Sequence, residues 1–88
     1  MIILHLCAEN AASRGDLHTA FAQAFSFPEW YGRNLDALAD CLTDVSEDAE
    51  ISMDEAALNG CLTERYTSQL KRLLTNVSEQ NPHIVFQK

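Results

Sequence analysis

The sequence predicts a small α/β fold, a three-stranded parallel sheet packed with about four helices in a single domain over residues 1–88. Two apolar runs of strand length, "IILHL" at 2–6 and "HIVF" at 83–86, stand near the two ends. Between them lie segments whose apolar residues recur at helical spacing. Strands separated by helices pair in parallel through right-handed crossovers. At 88 residues the chain can bury about 60% of its unfolded surface around one core, with no room for a second domain.

Residues 2–6 begin at the terminus and stop before "AENAAS", which suits a buried strand better than a helix. Ser13 then stands three residues before Asp16 in a capping-box-like pattern, followed by Leu17, Ala20, Phe21, Ala24 and Phe25 at helical spacing. Phe27-Pro28 ends this first helix, because proline lacks a donor and pushes the preceding residue out of the helical region. Asn34 can cap a second helix running to about Thr43, with Leu35, Leu38 and Leu42 on its buried stripe. The polar, acidic stretch "DVSEDAE" reads as a loop. A strand over 50–53 is expected next, the alternative being that Ser52 caps a short helix through Leu58 with Gly60 as its terminator. Tyr66, Leu70, Leu73, Leu74 and Val77 mark a long amphipathic helix that ends before Asn81-Pro82, and residues 84–86 form the last strand.

Composition narrows the function classes. The chain is 47% hydrophobic and 22% charged, an ordinary globular balance. Thirteen acids against six bases give a net charge of -7, which disfavours nucleic acid or an anionic membrane as a direct partner and favours a basic protein. Cys7, Cys41 and Cys61 are odd in number and form no CxxC pair, so they are read as reduced core thiols and not as a disulfide framework or a zinc site. With no run of about 18 apolar residues and no basic leader at "MIILHLCAEN", the expected address is the cytoplasm. No phosphate-cradling glycine loop and no GxSxG is present, and neither a metal nor a cofactor is expected. Cys41 has no neighbouring cation in sequence to make it a nucleophile with His5 or His18, and the carboxylates lack a recognisable ligand motif. His5 and His83 fall in or beside strands, and His18 is placed toward the edge of helix one.

The stretch "FPEWYGRNLDALADCLTD" carries the most information. At about 100° per residue, Leu35, Leu38 and Leu42 fall on one side of helix two, while Asp36, Asp40 and Thr43 cluster opposite them. Asp36 gains from the helix dipole, Asp40 gains little, and Asp44 at the end is placed against it. Like charges four apart destabilise a helix by roughly 0.2 to 0.5 kcal/mol. Helix stability therefore does not account for the arrangement, whereas a cationic partner would. Trp30 beside this face is a candidate contact, Tyr31 is either core or contact, and Gly32 is expected to take positive φ and turn the chain into the cap.

This motif, P-E-aromatic-Y-G-x-N-L-D-A-L-x-D-C-L-T, resembles the barstar family, cytoplasmic inhibitors of barnase-like extracellular ribonucleases. "DLHTAF" in helix one and "LTE" at residues 62–64 resemble the family more diffusely. The resemblance implies a barstar-like fold and an immunity protein, without enzymatic activity or cofactor, that binds a small basic ribonuclease one to one and is monomeric when free. It further implies that the turn and helix two plug the nuclease active site, Asp40 taking the place of a substrate phosphate. Trp30, Gly32, Asn34, Leu35, Asp36 and Thr43 match the other contact positions of the segment, and Asn76 falls where the family carries a contacting glutamate. Four departures stand out: Trp30 replaces a usual tyrosine, Arg33 puts a cation beside the patch where the family has an acid, and Ala39 and Val45 replace aromatics. The alternative is a barstar-fold acidic module that binds a basic protein other than a ribonuclease.

Overall fold

Strand β1 (Ile2–Leu6) is the apolar run at the N-terminus, here in a computed structural model that describes residues 1–87. Strand β2 (Ala49–Met53) pairs parallel to it, with Leu4 opposite Ile51. Strand β3 (Ile84–Gln87) pairs parallel to β2, with Ala49 opposite Ile84. The strand order β1-β2-β3 gives the expected three-stranded parallel sheet. Its period-two alternation divides the side chains between two environments. Leu4, Leu6, Ile51 and Ile84 are buried, while Ile3 is 70% and Val85 is 51% exposed. Parallel sheets usually have both faces covered. Here one face meets the helices and the other meets water, so the expected burial of the first strand holds only for its alternate residues.

Four helices supply the covering layer. Helix α1 (Arg14–Phe25) starts where expected, with the Ser13 hydroxyl accepting from the Asp16 N–H at 3.1 Å. It stops at Ser26, which adopts the left-handed conformation at φ 55°, two residues before Pro28. Helix α2 (Leu35–Thr43) begins after Asn34, whose side-chain oxygen accepts from the Ala37 N–H at 2.8 Å. Helix α3 (Glu55–Cys61) is capped by Asp54, and α4 (Glu64–Gln80) by Thr63. The side chains buried between the two layers include Leu17, Phe21, Leu38, Leu42, Leu58, Leu70 and Leu74.

The expected strand over 50–53 forms, one residue longer, and its alternative does not. The acidic loop ends at Asp48, because the Ala49 N–H donates to the His83 carbonyl and Ala49 enters the sheet. Ser52 lies within β2 and caps nothing, since the ladder to β1 and β3 uses that backbone. Gly60 lies inside α3 and does not terminate it; that helix ends at Cys61 with Leu62 as its C-cap, next to the Thr63 cap of α4. The cysteines are free thiols as expected but half-buried and outside the core, with Cys41 packed against it.

Candidate protein-binding site

Helix α2 is amphipathic in the sense the sequence requires. Leu38 and Leu42 are fully buried, Leu35 is half-buried, and Asp36, Asp40, Thr43 and Asp44 are exposed. Neither Asp36 nor Asp40 forms an ion pair among the described residues, where the pairs are Lys71 with Glu55 and His83 with Asp48. The Thr43 hydroxyl donates to the Ala39 carbonyl at 2.7 Å, so toward a partner it presents only acceptor capacity. The face is thus a row of unanswered acceptors.

The helix is held at both ends. At its start, Asn34 caps with its oxygen and donates from its amide nitrogen to the Gly32 carbonyl at 3.2 Å. At its end, the buried Asn81 amide donates to the Leu42 carbonyl at 2.9 Å and the Val45 carbonyl at 2.8 Å, with a longer contact to Thr43 at 3.3 Å. The last carbonyls of a helix have no intrahelical donors. Asn81 supplies one from the far end of α4, in a last turn of α2 that has no basic residue.

Before the helix, the chain turns at Arg33 and not at Gly32. Arg33 has φ 54°, and no glycine takes positive φ. Gly32 is instead demanded by space: a Cβ there would lie 3.2 Å from Asn34 Nδ2 and 3.3 Å from Ala37 Cβ, crowding the cap. A left-handed residue carrying a Cβ costs about 1–2 kcal/mol. Two hydrogen bonds help to hold it, since the Arg33 guanidinium donates to the Gly15 carbonyl and to Thr19 Oγ1, both at 2.7 Å. The cation expected beside the acidic patch is therefore engaged with α1.

Behind the turn lies a buried hub. His18 is 2% exposed and sits between two tyrosine hydroxyls, with Nδ1 2.6 Å from Tyr31 and Nε2 2.9 Å from Tyr66. The placement of His18 at a helix edge is corrected: it shares a stripe with Phe21 and Phe25. Burial, then the charge of Arg33, lowers its pKa from the ordinary 6.5. Tyr31, left open between core and contact, is core, and burial is the main cause that raises its pKa well above the usual tyrosine value. Its neighbour Trp30 is 81% exposed. The hub ties α1, α4 and the turn together while leaving the tryptophan in solvent.

The structure gathers the candidate residues unequally. Leu35, Asp36, Thr43 and Asn76 line one cleft of about 500 Å³ between α2 and α4, with Arg72 and Ala39. Trp30 lines a second cleft of about 400 Å³ with Cys41 and Asp44. Gly32 and Asn34 form the cap between turn and helix, and Asp40 lines neither cleft. A family model described as Barstar (barnase inhibitor) matches residues 1–81.

The chain belongs to the barstar family.

The match runs from β1 through α4 and ends at Asn81. Barstar-family membership makes this chain a relative of barnase inhibitors and not of enzymes, and agrees with the three parallel strands and four helices. Among the described residues, no helix is long and apolar enough to cross a membrane. Within the barstar scaffold the supporting roles of His18, Arg33 and Asn81 are not read from the sequence, although Arg33 stands inside the motif and His18 inside "DLHTAF". The spacing of His18 with Phe21 and Phe25 could have revealed the first. For Asn81, which reads only as the residue before a proline, the sequence holds no such signal.

Proposed function

We propose that this protein inhibits a small basic, barnase-like ribonuclease by placing the exposed face of α2 in its active site. The observation that carries this reading is the pair of exposed carboxylates, Asp36 and Asp40, unpaired among the described residues on a helix fixed at both ends. A carboxylate on a rigid support accepts bidentate guanidinium bonds, and phosphate mimicry needs only charge and geometry. Asp40 takes the place of a substrate phosphate. Asp36, Thr43 and Asn76 contact the partner from the α2–α4 cleft, with Leu35, Trp30, Gly32 and Asn34 completing the contact. Family membership supports the class of partner. The complex is one to one, the free protein is monomeric, and no cofactor takes part.

The test is RNA cleavage by a panel of small basic ribonucleases, including a barnase-like one, titrated with wild type and with Asp40→Ala. One-to-one loss of cleavage with wild type and a weakened effect with the variant are expected. Absence of any response across the panel would favour an acidic module for a different basic protein.

A further inference from the structure

The second cleft flanks the acidic helix on the side away from α4. Phe25, Phe27 and Trp30 contribute aromatic lining, and Asp44 and Glu47 contribute the acids. Phe25 and Phe27 stack with centroids 5.8 Å apart and planes 19° from parallel, and Phe27 packs on the buried Tyr31 at 4.9 Å. This side of the cleft is anchored to the core, whereas the Trp30 ring stands almost free in solvent. Asp44 and Glu47 are exposed, and among the described residues they pair with no cation and no Lys, Arg or His lines the cleft. The thiol of Cys41 senses the same field: burial, then Asp40 and Asp44, raise its pKa.

Aromatic faces beside unpaired carboxylates are complementary to one kind of side chain. A guanidinium stacks on a ring face while its edge donates in parallel to a carboxylate, and it gives up hydration more readily than an ammonium. We propose that the cleft between Trp30 and the Asp44–Glu47 loop binds an arginine side chain of the protein that covers α2. The contact thereby extends past the helix end onto the loop before β2, and this cleft selects among basic partners by where they carry an arginine. That the arginine belongs to a ribonuclease rests on the inhibitor reading; the preference of the cleft for guanidinium does not.

Trp30 is the only tryptophan and so reports on the cleft directly. The first arm titrates the free protein with the peptide acetyl-Gly-Arg-Gly-amide and follows Trp30 fluorescence, against the same peptide with citrulline, a neutral isostere of arginine. A saturable change with arginine, absent with citrulline and lost in Asp44→Asn/Glu47→Gln, is expected. An equal response to both peptides, or none to either, overturns the proposal. The second arm measures affinity for a ribonuclease that wild type inhibits, where the same double variant is expected to weaken binding about tenfold. If Asp40→Ala weakens inhibition while the double variant does not, the cleft proposal falls and the inhibitor reading stands. If no ribonuclease responds but the arginine peptide still binds selectively, the inhibitor reading falls and the cleft stands.

Discussion

At the scale of single residues, Asp40 and His18 are opposites, one exposed and unanswered, the other buried and doubly bonded. Asp40 is exposed and forms no ion pair among the described residues, so Asp40→Ala should keep stability within about 0.5 kcal/mol of wild type by urea titration. A barstar aspartate is itself a known extreme among binding hot spots, so the loss of at least about 2 kcal/mol in inhibition expected here follows that precedent and not this geometry. Unfolding of the variant by circular dichroism would make Asp40 structural instead. His18 gives a pH prediction. Neutral imidazole donates through one nitrogen and accepts through the other, which suits two hydroxyls; protonated, it donates through both and removes an acceptor. Its folded pKa is below 6.5, so the unfolded chain takes up the proton first as pH falls. Stability from this group is full above about pH 6.5 and declines as pH drops toward the folded pKa. Wild type should lose more stability than His18→Gln between about pH 7 and pH 5 in parallel urea titrations; equal losses would mean that His18 titrates alike in both states.

At the scale of elements, α2 is a short helix with Asp44 set against the C-terminal end of its dipole, and it depends on outside groups for its ends. Asn81 makes this explicit, with an amide that donates to carbonyls at the end of α2 and an oxygen that accepts from the His83 N–H at 3.0 Å. Asn81→Ala leaves buried groups without partners, and such loss costs about 1–3 kcal/mol. The expected readout is a lower urea midpoint together with faster amide exchange in the last turn of α2. An unchanged midpoint would show that water replaces the side chain without penalty. The same dependence explains the tight turn before the helix, where Arg33 holds a left-handed backbone through its bonds to α1 and Gly32 leaves room for the cap.

For the whole molecule, a net charge of -7 acts on the encounter before any contact forms. Raising salt shortens the Debye length from about 10 Å at 0.1 M to about 3 Å at 1 M, so steering of a basic partner fades. Stopped-flow association with an inhibited ribonuclease should slow by about tenfold or more across that range, while dissociation, set by the desolvated centre of the contact, changes much less. An association rate indifferent to salt would remove steering from the mechanism. Charge also bears on the uncovered sheet face, where Ile3 and Val85 are exposed beside His5 and Glu50. Polar neighbours interrupt that apolar surface, and His5 Nδ1 lies 2.8 Å from the Ser52 hydroxyl across the sheet.

The sequence by itself determined the first and last strands, the helices α1, α2 and α4, the parallel sheet, the Asn34 and Ser13 caps and the two-sided character of α2. These are local properties: periodicity reports which side of a helix avoids water, and a cap bonds within three residues of itself. The dense motif around Trp30–Thr43 likewise pointed to the family that the match over residues 1–81 establishes. What only the tertiary structure decided lies in pairings across long separations. His18 meets Tyr66 from 48 residues away, Asn81 reaches Leu42 from 39, and Arg33 reaches Gly15 from 18. A polar side chain's role depends on what the fold brings to it, and that partner is not written in its neighbours. For the same reason the sequence leaves residues 50–60 open between a strand and a Ser52-capped helix ended by Gly60, and pairing with β1 and β3 decides for the strand at Ser52, with Asp54 capping a helix that runs through Gly60.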